Sequence, residues 1–178
     1  MLAALVLAFA APARAELRIS DLDVFLNDHD ITAQVVLLNA LPPAFSESIH
    51  SGIPAHVRFT IELWHYRRLQ PDRLVVTKVI ERALTYNVVT KEYKVAVVKG
   101  DPRPVYTTRE LREAQRVLSE ARGAKLVQVS GLDAADVVYV RVKAEAALNG
   151  ENTFLTRLAG QAEQIVVESE YRTMTRIQ

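Results

Sequence analysis

Histidine is the side chain that most often joins carboxylates to hold a metal or to move a proton, and the sequence contains four. None belongs to an H-E-x-x-H or H-x-H pair, the local spacings typical of zinc sites. His29 lies between Asp28 and Asp30, but two carboxylates suit Ca²⁺ or Mg²⁺ better than an imidazole does. We interpret this triplet as a solvated turn. His56 is expected on the solvent face of a strand and His65 at the edge of the core, so the sequence predicts no metal site.

Motifs for nucleophilic catalysis and for phosphate binding are also missing. The sequence has no G-x-S-x-G, no G-x-x-x-x-G-K-[ST] and no G-x-G-x-x-G, and it contains no cysteine that could act as a thiol nucleophile. Asp101 and Asp133 fall in predicted loops, where carboxylates can serve acid–base chemistry, but aspartates beside proline or glycine usually form turns. We therefore expect no cofactor, and a hydrolase whose site is assembled from dispersed loops is the alternative function.

A run of aromatic and basic residues gives the strongest indication of a functional surface. Trp64, Tyr66, Arg67 and Arg68 come at the end of an alternating apolar segment. Both rings share the phase of the polar side chains in that segment, so they are expected on its solvent face. Exposed Trp, Tyr and Arg are enriched in binding hot spots, which makes these four residues the candidate binding site. The alternative is that another element covers the rings and forms a second small core, since large aromatic side chains are highly buried on average.

Composition and charge restrict the class of protein. The chain has 178 residues, of which 49% are hydrophobic and 24% charged, as in a globular domain. Its 22 basic and 21 acidic side chains nearly balance. A nucleic-acid-binding protein carries a basic excess, so nucleic acid is excluded as the expected partner. The same balance argues against a polybasic membrane patch.

The first fifteen residues predict export. An apolar run over residues 1–11 is followed by P-A-R-A at residues 12–15, and a short apolar core before a small-x-small pattern is what signal peptidase recognises. The alternative is a buried N-terminal helix. The run is shorter than the roughly 20 apolar residues that span a bilayer, and no later segment is suited to do so. We expect cleavage after Ala15, a single mature domain over residues 16–178, and a periplasmic or secreted location.

Alternating hydrophobicity dominates the mature chain and predicts an antiparallel β protein. The clearest strand covers residues 55–63, with apolar side chains at odd positions and polar ones at even positions. The first strand changes phase near residues 20–21, which predicts a β-bulge or break there. About eight strands against two helices, joined by hairpin-type connections, indicate a mainly β fold with a minor α+β character. The expected architecture is an antiparallel β-sandwich-like domain.

The two helices have separate start and stop signals. The first is expected over residues 42–52, which open with prolines and end with a glycine. For the second, Thr107 and Glu110 have the spacing of a capping box. An apolar stripe at helical spacing follows, consisting of Leu111, Ala114, Leu118 and Ala121. Gly123 is expected to end this helix, which would be roughly 14 residues long.

Three segments give the chain a resemblance to the DUF4390 family, an exported bacterial domain of unknown function. They are the exported start running into residues 16–19, the segment 51–63 that opens with S-G-I-P, and the segment 84–93 that contains Y-N-x-x-T-x-x-Y. A helix starting near Glu110 and a last strand near Tyr171 follow in the expected order. The resemblance covers most of the mature chain and implies a secreted or periplasmic β-rich fold. It brings no established activity and no catalytic residues.

The sequence and the resemblance together lead to one functional interpretation. We expect an exported accessory protein of the bacterial envelope with a binding or structural role and a protein partner. Association with a membrane sensor is the most specific form of this role that the resemblance permits.

Overall fold

The fold is built almost entirely from β-strands. The computed structural model describes residues 16–27, 29–100, 102–132, 137–149, 164–168 and 172–173. The strands are β1 (Arg18–Asn27), β2 (Asp30–Leu38), β3 (Ala55–His65), β4 (Arg73–Asn87), β5 (Glu92–Lys99), β6 (Tyr106–Thr108), β7 (Glu120–Gln128), β8 (Val138–Leu148), β9 (Gln164–Glu168) and β10 (Arg172–Thr173). The helices are α1 (Ser46–His50) and α2 (Leu111–Leu118), and short 3-10 turns cover Pro43–Phe45 and Val129–Gly131.

The strands form two antiparallel sheets. The smaller sheet has three strands in the order β1-β2-β7. The larger has seven strands, in the order β10-β8-β3-β4-β5-β6, with β9 also paired to β8. This confirms the predicted mainly β, antiparallel class with two helices. The described chain contains two more strands than expected, because β6 lies outside the predicted strands and the last predicted strand is divided into β9 and β10.

Both sheets contribute to one hydrophobic core. In β3 the odd-numbered side chains from Ala55 to Leu63 are buried, and in β8 the even-numbered ones are. Ile31 and Val35 of the smaller sheet belong to the same cluster. A period of two matches the pleat of a strand, so each of these strands turns its apolar side chains to the core and its polar ones away. We call the face that carries the even-numbered side chains of β3 the outer face of the large sheet.

The predicted change of phase in β1 is confirmed. Its register with β2 shifts between Ile19 and Asp21. Leu17 and Leu22 are consequently both buried, although they have opposite parity. An extra residue in one strand of an antiparallel pair turns the following side chains over, and this bulge does so here.

The first predicted helix is present as a 3-10 turn followed by α1. The backbone N–H of Gly52 donates to the Ile49 carbonyl at 2.9 Å, and that of Ile53 donates to the Ser48 carbonyl at 3.0 Å. Gly52 has a φ of +91°. This pair of bonds around a left-handed residue is the Schellman closure, which glycine makes without a Cβ penalty. Within the described part of the chain, no helix has the length and apolar character needed to cross a membrane.

The second predicted helix is shorter than expected and has a different cap. It ends at Leu118, and the chain enters β7 at Glu120. Glu110 is its N-cap residue and makes no side-chain cap hydrogen bond, so the predicted capping box is wrong. Instead the Thr108 hydroxyl donates to a carboxylate oxygen of Glu113 at 2.9 Å. This bond, followed by a second from a tyrosine hydroxyl, lowers the pKa of the Glu113 carboxyl below its usual value.

Ala121 is the residue that made the predicted helix too long, because it lies three positions after Leu118 and is buried, yet it belongs to β7. Ala33 of β2 pairs with Ala124 of β7, and Val35 pairs with Ala121, so three steps along β7 oppose two along β2. Gly123 lies inside this bulge with a φ of +68°. The burial of Ala121 therefore comes from its place in a strand opposite Val35, although its spacing from Leu118 is that of a helix.

Candidate functional site

The candidate binding residues lie at the end of the large sheet where β3 turns into β4. We call residues 64–74 the hairpin end. Trp64 is half-buried on the outer face, and its indole N–H donates to Glu62 Oε2 at 2.9 Å. The Arg141 guanidinium lies 5.5 Å from the centroid of the indole ring and contacts the same carboxylate at 3.3 Å. Trp64 is thus outside the core, as its phase predicts, and two neighbouring side chains hold it.

The residues that follow are much more open to solvent. Tyr66 is 51% exposed and Leu69 is 94% exposed. Arg68 is also exposed, whereas Arg67 is half-buried and donates from Nη1 to the Gln70 side-chain oxygen at 3.0 Å. The structure therefore brings the four predicted residues together, and Tyr66 and Arg68 are the two whose side chains are open.

A single carboxylate fixes the shape of the hairpin end. Asp72 Oδ1 accepts the backbone N–H of Arg67 at 3.0 Å, and Oδ2 accepts the hydroxyl of Tyr139 at 2.8 Å. The backbone N–H of Tyr66 donates to the Val137 carbonyl at 2.8 Å. The hydrogen bond from Arg67, and then that from Tyr139, lowers the pKa of Asp72 below its usual 3.8. The exposed side chains are thus presented on a backbone that is tied to β8 and to the residue before it.

This geometry gives Asp72 a defined pH dependence. Because its pKa is lower in the folded protein than in the unfolded chain, Asp72 stabilises the fold above a pH of about 4, and that contribution is lost as the pH falls through the folded-state pKa. Asp72→Asn is therefore expected to lower the urea midpoint at pH 7, and the difference from the wild type should shrink below a pH of about 4. Asp23→Asn, at an exposed position of β1, controls for the loss of one carboxylate. A difference for Asp72→Asn that stays constant down to a pH of about 2 would contradict this assignment.

The charges of the hairpin end are unbalanced. Arg67, Arg68 and Arg73 form no ion pair with any residue that the structure describes. Asp72 is the one acidic residue between positions 64 and 74, and both of its oxygens accept hydrogen bonds from within the protein. The surface therefore combines positive charge with apolar area.

An apolar row continues from the hairpin end onto the outer face. In register, Trp64 lies opposite Leu74 of β4 on one side and opposite Tyr139 of β8 on the other. Leu74 and Val137 are both among the exposed large hydrophobic residues. Apolar surface thus extends from the loop to the last row of side chains on the sheet.

Three contributors to this site were outside the sequence prediction. Leu69 is an aliphatic residue in a turn, where its type alone suggests burial. Asp72 follows a proline in the segment Q-P-D-R of residues 70–73, whose residue types are typical of a turn, and turn aspartates commonly accept backbone N–H groups, so its bond to Arg67 could have been found from local sequence. The contact with Tyr139 could not be found in this way, because Tyr139 is 67 positions from Asp72 in the chain.

The histidine environments do not assemble a metal centre in the described part of the chain, where no group of three or more potential ligands comes together. His29 is exposed, and the neighbouring Asp30 carboxylate pairs with Lys125 Nζ at 2.9 Å. His65 is half-buried at the end of β3. Three aspartates considered above lie outside the described residues: Asp28, Asp101 and Asp133.

His56 lies on the outer face, as its phase predicts, but the expectation that it is exposed is wrong. Its side chain is 14% exposed, and Nδ1 is 3.2 Å from Glu81 Oε1. The other oxygen of Glu81 accepts a hydrogen bond from Arg58 Nε at 2.8 Å and lies 2.7 Å from Arg58 Nη2. The buried carboxylate is thus paired on both oxygens, which is what a buried charge requires. This arrangement joins β3 to β4 and is structural.

The two segments that contain S-G-I-P and Y-N-x-x-T-x-x-Y meet in space. His50, just before the first, places Nε2 2.7 Å from the hydroxyl of Tyr93. The ring of Tyr86 lies 5.2 Å from that of His50 and 4.7 Å from that of Tyr93. Burial, with a smaller contribution from Tyr86, raises the pKa of the Tyr93 hydroxyl, so this group stays a neutral hydrogen-bonding partner. The cluster fixes the turn after α1 against the β4–β5 hairpin.

Comparison with known proteins supports the resemblance seen in the sequence. The family model described as "Domain of unknown function (DUF4390)" matches residues 14–159, which is more than half of the chain. No curated protein and no solved structure matches the chain.

Proposed function

The chain belongs to the DUF4390 family, and we propose that it is an exported accessory protein of the bacterial envelope that acts by binding a protein partner. Residues 1–15 are its signal peptide in this proposal, and the mature protein is periplasmic or secreted. A partner associated with a membrane sensor is the most specific form of the proposal. N-terminal sequencing of the exported protein is expected to begin at Glu16.

The observation that carries this proposal is the exposure of Leu69 and Tyr66 on a fixed backbone. A lone exposed aliphatic side chain is common on protein surfaces, and Val89 is 91% exposed as well, but Leu69 is 94% exposed and lies in the same loop as an exposed tyrosine and arginines that form no ion pair with the described residues. The hydrogen bonds of Asp72 already order the loop, so little conformational entropy is lost when a partner binds. Tyrosine and arginine beside the leucine supply the residue types that carry binding energy.

A hydrolase with a site assembled from dispersed loops is the second candidate, and no specific contact favours it among the described residues. His56 and Glu81 form a histidine–carboxylate pair, with Nδ1 3.2 Å from Oε1. Arg58 occupies the other oxygen of that carboxylate, so the pair serves to join two strands. A general base must instead reach the proton that it removes.

The experiment compares two pairs of exposed apolar residues at opposite ends of β4. Tyr66→Ala with Leu69→Ser should leave the free energy of unfolding within about 1 kcal/mol, because neither side chain belongs to the core. The same change should weaken partner recovery from envelope extracts by tenfold or more, as loss of a hot spot costs about 2 kcal/mol. Val88→Ala with Val89→Ser, at the equally open tip of the β4–β5 hairpin, should change neither quantity.

Two results would contradict the proposal. Equal partner recovery with the hairpin-end variant and the valine variant would show that residues 64–74 do not carry binding. A loss of several kcal/mol on removing Tyr66 and Leu69 would show that their role is in folding instead.

A further inference from the structure

The hairpin end combines an apolar tip with two exposed arginines, Arg68 and Arg73, which we call the cationic rim. Leu69 is 94% exposed and Tyr66, three residues before it, is 51% exposed. Arg68 directly precedes Leu69 and Arg73 lies opposite His65 in register; both are exposed, and neither forms an ion pair with the described residues. A charged group of this kind gains most from a partner that replaces water with a carboxylate in good geometry.

Among the residues that the structure describes, no carboxylate is paired with Arg68 or Arg73. Asp72 lies in the same loop, but its two oxygens accept the Arg67 N–H and the Tyr139 hydroxyl. Glu62, on the adjoining outer face, accepts the indole N–H of Trp64 and pairs with Arg141. Both acidic residues that the structure describes beside the rim are therefore committed, which favours an acidic partner for Arg68 and Arg73.

We infer that the hairpin end binds an acidic protein surface that contains an apolar pocket. This inference rests on the proposed function and specifies its partner. Leu69 enters the pocket, Tyr66 packs at its edge, and Arg68 and Arg73 pair with carboxylates around it. A planar guanidinium forms two parallel hydrogen bonds to a carboxylate, so arginine at both rim positions suits an acidic protein better than a diffuse negative charge does.

The shape of the apolar surface favours a protein over an anionic bilayer. Leu69 is the one aliphatic residue of the described loop tip, and a single inserted side chain gives weak membrane binding. The remaining apolar area runs sideways along the row formed by Leu74, Trp64 and Tyr139. A flat bilayer that touches the tip would not reach this row, whereas a partner protein can cover both.

The test uses site-specific photo-cross-linking from position 69 in the full-length protein, expressed in its native cells, with adducts identified by mass spectrometry. Arg68→Glu with Arg73→Glu should reduce the protein adduct by about tenfold or more, because opposite charges become like charges. Lys91→Glu with Lys94→Glu produces the same change in net charge at the β4–β5 hairpin and should leave the yield unchanged. Arg68→Lys with Arg73→Lys should retain part of the adduct yield, because the positive charge is kept. The adduct should map beside Asp or Glu residues of the partner.

The outcomes separate this inference from the proposal beneath it. A protein adduct that is insensitive to reversal of both arginines would overturn the acidic partner and leave protein binding intact. No protein adduct from position 69 or from position 66 would overturn the proposed function as well. Cosedimentation with vesicles of phosphatidylglycerol and phosphatidylcholine that depends on Arg68 and Arg73, without a protein adduct, would identify a lipid surface and overturn the inference. Unchanged thermal melts of the arginine variants establish that the effect concerns binding.

Discussion

Phe59→Ala is expected to lower the free energy of unfolding by about 3–5 kcal/mol. Phe59 is fully buried in the middle of β3, which is itself a central strand of the large sheet. It lies between Ile80 of β4 and Ala144 of β8 in register, and both of these are buried as well. Backbone pairing on both sides prevents the strands from collapsing into the vacated space, so the lost contacts are added to the cost of a cavity. Urea unfolding at neutral pH measures the change.

The neighbouring residue provides the matched control. Thr60 points to the outer face, where it lies between Val79 and Lys143 and is only half-buried. Thr60→Ala should therefore cost less than about 0.5 kcal/mol. Similar losses from the two variants would show that β3 does not present alternate side chains to the core and to the outer face.

The parts of the fold that could be predicted from the sequence are those in which local pattern and tertiary position agree. Apolar and polar side chains alternate without exception over residues 55–63, because one face of β3 packs in the core and the other face lies outside it. The phase change at Asp21 could be predicted for the same reason, since a slip in a period of two is visible in the sequence itself. The Schellman closure at Gly52 is equally local.

The parts that could not be predicted depend on a partner strand or on distant residues. The spacing of three between the buried Leu118 and Ala121 fits one helix, and only the pairing of Ala121 with Val35 of β2 shows that the chain has already entered a strand. The same holds for the candidate site. The aromatic and basic residues could be identified from their types. The loop that presents them is fixed by a hydrogen bond between Asp72 and Tyr139, which local sequence does not reveal.

Arg82 is the residue at which the sequence pattern and the expected chemistry disagree most. Together with Lys78 it interrupts the apolar phase of β4, and the structure nevertheless turns it to the core, where it is 2% exposed. Its guanidinium donates from Nη1 to the carbonyl of Val117 at 2.6 Å and also to the carbonyl of Glu120. Val117 belongs to the last turn of α2, whose carbonyls have no partner within the helix. The buried cation thus satisfies the end of α2 and the start of β7, and its charge complements the negative end of the helix dipole.

Arg82→Met is expected to destabilise the protein by about 2–5 kcal/mol, since each buried carbonyl that loses its donor costs about 1–3 kcal/mol. Replacement of a complete buried ion pair by apolar residues can be neutral, but here the two carbonyls remain after the guanidinium is removed. Lys78→Met is the matched control, because Lys78 has the same phase on the same strand, is half-buried, and forms no ion pair with the described residues. Its substitution should change the free energy of unfolding by no more than about 0.5 kcal/mol. Hydrogen exchange should show the loss for Arg82→Met first at the amides of α2 and the beginning of β7, since these are the elements that the guanidinium joins to β4. A change below about 1 kcal/mol would mean that water satisfies the two carbonyls, and that Arg82 packs in the core without joining these elements.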